Sequence, residues 1–147
     1  MGSHHLILRV VTKFLAGTII LFGLYVQFHG DYSPGGGFQA GVIIAVAFIL
    51  YGVVFSLRHA KQVFPPWLVH KLLALGVLIY AGTGVVSMLL GYEFLNYGAF
   101  TPDHPSHGQH WGILVVEIGV GVTVTGVMVA IYYAFAARPP RISDEEW

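Results

Sequence analysis

Apolar residues in this chain run in long unbroken stretches, with neither the alternation of a half-buried strand nor the narrow stripe of a surface helix. Four stretches stand out: Val10 to Phe28, Phe38 to Leu57, Leu72 to Tyr92 and Trp111 to Ala137. A helix needs about 20 mostly apolar residues to cross the roughly 30 Å hydrocarbon core of a bilayer, where every backbone N–H and C=O must be paired internally. The pattern therefore predicts an all-α membrane protein with four transmembrane helices and no soluble domain. The helical domain spans 8–137, and a charged, extended tail follows over 138–147. The first stretch carries Thr12 and Lys13 in its leading turn, where the lysine snorkels to the headgroups. The fourth is longer than a bilayer requires, and tilt absorbs the excess.

Composition agrees with that reading. Of the 147 residues, 56% are hydrophobic and 10% are charged, too few charges to cover the surface of a small soluble domain. Charge also orients the chain. Arg9 and Lys13 precede the first stretch or open it, Arg58, Lys61 and Lys71 lie between the second and third, and Arg138 and Arg141 follow the fourth. The other two loops contain no basic residue, so the positive-inside rule predicts both termini on the cytoplasmic side. A cleavable leader is disfavoured, because Tyr25-Val26-Gln27-Phe28-His29 offers no small-residue cleavage site. The start Met1-Gly2-Ser3-His4-His5 has the flavour of an expression tag, but two histidines do not establish one.

The chemistry available is sparse. With no cysteine, disulfides, thiolate metal sites and cysteine nucleophiles are excluded. No catalytic constellation is present, so no enzyme activity is expected. Glu117 is the one acidic residue within the four stretches. At about 1.5 Å rise per residue it lies roughly 9 Å inside the outer end of the fourth helix. A charged carboxylate there costs about 2.5 kcal/mol or more, so intramembrane acids usually face a protein interior or a watery path and mark ion or proton routes. The competing reading is a structural acid bonded to a neighbouring helix. No stretch holds an interior Lys or Arg to pair with it, which leaves Gln27, His29, Gln39, Tyr25 or another protein of a complex as partner.

The most distinctive loop is His29-Gly30-Asp31-Tyr32-Ser33-Pro34-Gly35-Gly36-Gly37-Phe38-Gln39. Three consecutive glycines open backbone angles closed to other residues and allow close approach. The Lys-Ser/Thr of a phosphate-binding P-loop is absent. The loop reads either as a tight turn or as a backbone cluster, with His29 and Asp31, at an ion entrance or a subunit seam. In the last loop His104, His107 and His110 are spaced by three, but Pro105 and Gly108 interrupt them. We therefore expect no metal site there, and a titrating surface loop instead. Gly76, Gly82 and Gly84 in the third stretch, with Gly119, Gly121 and Gly126 in the fourth, predict close helix contacts.

The run from Arg9 into His29-Gly30, the motif Ser33-Pro34-Gly35-Gly36-Gly37-Phe38 opening the second helix, and Glu117-Ile118-Gly119-Val120 together resemble the MrpB (MnhB) family, one of the component families of the Mrp (Mnh) multisubunit cation/proton antiporters. The resemblance covers about Leu8 to Ala136. In that family an aspartate often stands where Glu117 stands here, and the histidine-rich third loop departs from the family pattern. The resemblance implies a non-catalytic subunit in the plasma membrane of a bacterium. Its partners would be the other members of a seven-protein assembly that exchanges external protons for cytoplasmic Na⁺, or Li⁺. No cofactor and no nucleic-acid partner is implied. Glu117 and His29 are then expected on the ion path or proton relay. Asp31, Ser33, Pro34, Gly35, Gly36, Gly37, Phe38 and Gln39 are expected at a subunit seam or ion entrance. Two alternatives remain open: a stand-alone dimeric proton-coupled exporter, and a structural subunit of a hydrogenase-type cation pump.

Overall fold

A computed structural model describes residues 3–30 and 34–138. Four helices, α1 (Ser3–Phe28), α2 (Gly37–Phe55), α4 (Pro66–Leu89) and α5 (Pro105–Ala136), are long and apolar enough to cross a membrane. A short helix α3 (Leu57–Val63) and a 3₁₀ turn (Tyr97–Phe100) complete the secondary structure, with no strand among the described residues.

Two boundaries differ from the sequence expectation for the same reason. Proline lacks the N–H that a first helical turn leaves unpaired, and its fixed φ suits that turn. Pro66 accordingly opens α4, six residues ahead of Leu72, and Pro105 opens α5 ahead of Trp111. The segment Arg58 to Lys71, expected as a loop, instead holds α3 with Arg58 and Lys61, while Lys71 lies in α4. The break before α3 falls at Ser56, with φ 94°, where the Ser56 hydroxyl and His59 Nδ1 lie 3.0 Å apart.

Small residues set the helix arrangement, since close backbone approach is what joins helices in lipid. Helices α2 and α5 run parallel with an offset of 80: Gly37 meets Glu117, Gly41 meets Gly121, and Gly52 meets Tyr132. Helix α4 runs antiparallel to α5. A Cβ added at Gly76 would stand 2.6 Å from the Gly119 carbonyl oxygen, and one at Gly119 would stand 2.9 Å from that of Gly76. Helix α1 is antiparallel to α2, with Gly23 against Ile44 and Ala40. The neighbour order is thus α1, α2, α5, α4, and α1 and α4 share no packed seam. Both described termini lie at one end of the bundle, here the terminal end. The end of α1, the start of α2 and the 90–104 segment lie at the other, the connection end.

Hydroxyls inside the bundle are satisfied by carbonyls four residues back, which avoids an unpaired donor in lipid. Thr83, Ser87 and Thr123 bond in this way to Ile79, Thr83 and Gly119 at 2.7, 3.1 and 2.8 Å. Thr125 also reaches across, donating to the Gly41 carbonyl of α2 at 3.1 Å. The core lies toward the terminal end, where Ala45, Val69, Val129 and Tyr133 pack with Ala60 and Phe64. The buried Tyr133 hydroxyl ties α5 to α3 by donating to the carbonyls of Ala60 and Phe64 at 3.1 and 2.7 Å. Around this end Arg9 and Lys13 stack on Phe55, Lys61 on Tyr133, Lys71 on Trp67 and Arg138 on Phe135. At the connection end the 90–104 segment is seated by aromatic rings on glycines, Phe94 on Gly84 and Tyr97 on Gly112.

Candidate functional site

The site forms where α1 ends, α2 begins and α5 passes between α2 and α4. Gly36 caps α2 with φ 144° and ψ −178°, a conformation essentially restricted to glycine. Gly37 opens the helix with its Cα directly against the Glu117 backbone. A Cβ there would overlap the Glu117 carbonyl oxygen and lie 2.8 Å from its carbonyl carbon. From this crossing the Glu117 side chain extends over two bare backbones. Its Oε2 lies 2.9 Å from the position a Cβ would take at Gly30, and its Oε1 lies 3.0 Å from that position at Gly36. Gly30 and Gly36 are themselves within 3.1 Å by the same measure. The carboxylate thus occupies a shelf made of glycine main chain from two helix ends.

Helix α2 gives that shelf an electrostatic sense. The first amides of a helix have no intrahelical acceptor, and its dipole is positive at that end, so an anion is favoured there. The Gly36 carbonyl accepts the Ala40 N–H at 3.0 Å, the first bond of the helix, so the amides before Ala40 have no intrahelical acceptor. No carboxylate occurs in the first turn of α2 itself, and Glu117 brings one from α5.

The depth expected for Glu117 needs correction. Measured from Pro105, Glu117 lies about 18 Å along α5 at 1.5 Å per residue. Yet it is level with the last residues of α1 and the first of α2. Helix α5 projects beyond those two, so the end of its own helix is the wrong reference. Glu117 lies at the level of the α1 and α2 ends.

One turn further along, Gln27 projects from α1 onto Gly121 of α5, with its Oε1 2.5 Å from the position of a Gly121 Cβ. Gln27 is only 6% exposed, and its Nε2 has no hydrogen-bond partner among the described residues. Gln27 and Gly30 therefore present a carboxamide and a bare backbone to consecutive turns of α5. Gln39 Oε1 comes within 3.6 Å of the Gly36 Cβ position, at the edge of the shelf.

The other expected site residues are spread around this shelf. His29 stacks on Tyr25, with ring centroids 4.1 Å apart, and its Nδ1 lies 3.1 Å from the Tyr25 carbonyl oxygen. Phe38 is 61% exposed and points away from the bundle, and Pro34 is exposed at its edge with Gly35 half-buried. Asp31 and Ser33 lie outside the described residues. The histidines of the last connection need correction. Pro105 starts a helix and Gly108 lies within it, so His107 and His110 project from the first turns of α5 and His104 caps it. The rings of His104 and His107 are 5.8 Å apart, and His110 meets Trp111 edge-on at 6.1 Å. Sequence reasoning did not single out Gly30, nor Gly121 as a contact of this site. The signal for Gly121 is a matched four-residue spacing, Gly37, Gly41 and Ala45 on α2 against Glu117, Gly121 and Thr125 on α5, and Gly30 has no such signal.

Known proteins share this pattern over most of the chain. A family profile described as a domain related to the MnhB subunit of Na⁺/H⁺ antiporters matches residues 7–130. A protein of Staphylococcus haemolyticus (strain JCSC1435) named as antiporter subunit mnhB2 is 34% identical over 138 residues, covering 92% of this chain and 97% of that protein. A Staphylococcus aureus (strain Newman) protein of the same name is 34% identical over 133 residues, covering 89% and 94%.

Proposed function

The chain belongs to the MnhB family of Na⁺/H⁺ antiporter subunits, and on that premise we propose that it contributes the Glu117 carboxylate to the ion path of the exchange. It is a multi-pass membrane protein and a subunit of a multisubunit antiporter, which is a transport component. The proposal extends to the setting. The complex has seven proteins, the membrane is the plasma membrane of a bacterium, both termini are cytoplasmic, and the subunit does no covalent chemistry. The ions exchanged are H⁺ against Na⁺ or Li⁺, with no cofactor and no nucleic acid involved. The basic residues stacked on aromatic rings at the terminal end support that orientation, since lysine and arginine gather on the cytoplasmic side of a membrane protein.

The observation that carries the reading is the seat of Glu117. Glu117 sits where the ends of α1 and α2 meet, at the crossing of α2 and α5. Its two oxygens lie close to the bare main chain of Gly30 and Gly36, and an acid placed within a membrane bundle commonly serves an ion or proton route. In this reading the carboxylate alternates between holding a proton and holding a cation. The neighbouring segment around His29 leads toward the membrane surface. The family match favours this antiporter role over a stand-alone exporter or a hydrogenase-type pump.

The test replaces Glu117 in the intact complex. Glu117→Gln keeps the side chain's shape and removes its charge. Na⁺-driven proton movement in membrane vesicles should fall by about tenfold or more, while the complex still assembles. Wild-type exchange by Glu117→Gln would overturn the proposal, as would loss of exchange only in parallel with loss of the complex.

A further inference from the structure

Gln27 points to a second site that needs no role in exchange. A groove of about 300 Å³ lies between α1 and α4, with α2 and α5 as its floor. Its walls are apolar, chiefly Leu24, Ile44, Leu72 and Val122, and it ends on the stacked pair Phe48–Phe64, whose centroids are 4.4 Å apart. Gln27 lines the groove near its other end, buried and with no partner for Nε2 among the described residues. An amide donor left without an acceptor costs about 2 kcal/mol or more, and hydrocarbon tails supply no acceptor. The occupant must therefore be apolar along most of its length and carry an acceptor at one end.

Depth and size narrow the choice. Gln27 is one residue from the end of α1, at the level where hydrocarbon gives way to the polar edge of a bilayer. From the level of Gln27, which is that of Gly121 and Gly41, the groove runs to Phe48, seven residues further along α2, about 10 Å at 1.5 Å per residue. A helix about 10–12 Å across would fill roughly 800 Å³ over that length, more than the groove of about 300 Å³ holds. The volume is roughly twice that of the ~150 Å³ apolar cavity known to take up benzene. A linear hydrocarbon chain fits both limits. We propose that the groove binds one acyl chain of a phospholipid from the leaflet at the connection end, with the lipid's ester carbonyl accepting from Gln27 Nε2. The outer torsion of glutamine is soft, so the carboxamide turns toward the groove at little cost. The chain tail then ends against Phe48 and Phe64.

The experiment uses the intact complex in membranes containing phosphatidylglycerol with a photoactivatable diazirine midway along one acyl chain. Labelled peptides are mapped by mass spectrometry. Adducts should concentrate at Ile44, Leu72 and Val122, well above Leu21 of α1 and Val53 of α2, which are 69% and 68% exposed outside the groove. Val122→Trp should lower them to that background, and Ile44→Trp replaces it if the first variant fails to assemble. Gln27→Leu should weaken retention of the lipid by about fivefold, the factor carried by one hydrogen bond. Even labelling of groove and exposed positions would overturn the proposal. So would a single cysteine introduced at Ile44, in a chain that has none of its own, cross-linking to a neighbouring protein of the complex in place of lipid.

Discussion

Glu117 and Gly37 meet backbone against backbone, and that single contact fixes where the acid of α5 stands relative to the start of α2. Any side chain placed at Gly37 would have to occupy space already held by the Glu117 carbonyl. Position and chemistry are thus coupled, because the residue that carries the carboxylate is also the residue on which α2 rests.

Gly37→Ala should separate the two helices at the site. Overpacking of a close contact costs about 1–3 kcal/mol, and the unfolding temperature of the complex should fall accordingly. Gly17→Ala and Gly82→Ala are controls, since a Cβ at either meets nothing within 4 Å. They should be neutral or stabilising by about 0.5–1 kcal/mol, as expected for removing glycine from a helix interior. Equal effects at all three positions would contradict the packing described.

Gly36→Ala tests conformation instead of space. At φ 144° an alanine is strained by about 1–3 kcal/mol, and its Cβ would stand 3.0 Å from Glu117 Oε1. We expect reduced Na⁺/H⁺ exchange at growth temperature with assembly largely kept, read from vesicle transport and native gels side by side. Full exchange would mean that the α2 cap is free to reshape without consequence for the acid.

Tyr133→Phe removes the hydroxyl that ties α3 to α5. The Ala60 carbonyl still accepts the Phe64 N–H at 2.8 Å, but the Phe64 carbonyl loses the shorter of the two hydroxyl bonds, so the loss should be about 1–3 kcal/mol. Protease sensitivity of the 56–65 segment should rise while Na⁺/H⁺ exchange stays near wild type. A large loss of exchange would show that the terminal end takes part in transport.

The orientation is open to direct measurement because the chain has no cysteine. Single cysteines at the exposed positions Gln62 and Asp103 lie at opposite ends of the bundle. A membrane-impermeant maleimide added to whole cells should label Asp103→Cys, and Gln62→Cys only after permeabilisation. The reverse pattern would invert the chain.

Much of the architecture is legible in the sequence, because a stretch of apolar residues long enough to span lipid has one stable solution, a helix. Glu117 stands out for the same reason, as an acid where acids are expensive. The starts of α4 and α5 are not legible, because Pro66 and Pro105 break a helix anywhere but in its first turn, and composition does not say which case applies. Helix order is beyond reach, since the pairing of Gly37 with Glu117 joins residues 80 apart that only packing brings together. Gln27 can be named as a polar neighbour, but its buried, unpartnered amide follows from the orientation of α1, which sequence periodicity in an all-apolar helix does not encode.

The lock between Gly37 and Glu117 also divides labour within the machine. A backbone wedged this tightly cannot slide along its neighbour without lifting the whole of α2, so the acid behaves as a stator: a charge held at fixed height. On the proposed role of Glu117, any stroke that brings ions to it and takes them away is then made by the carboxylate's own rotation or by moving parts in adjoining chains.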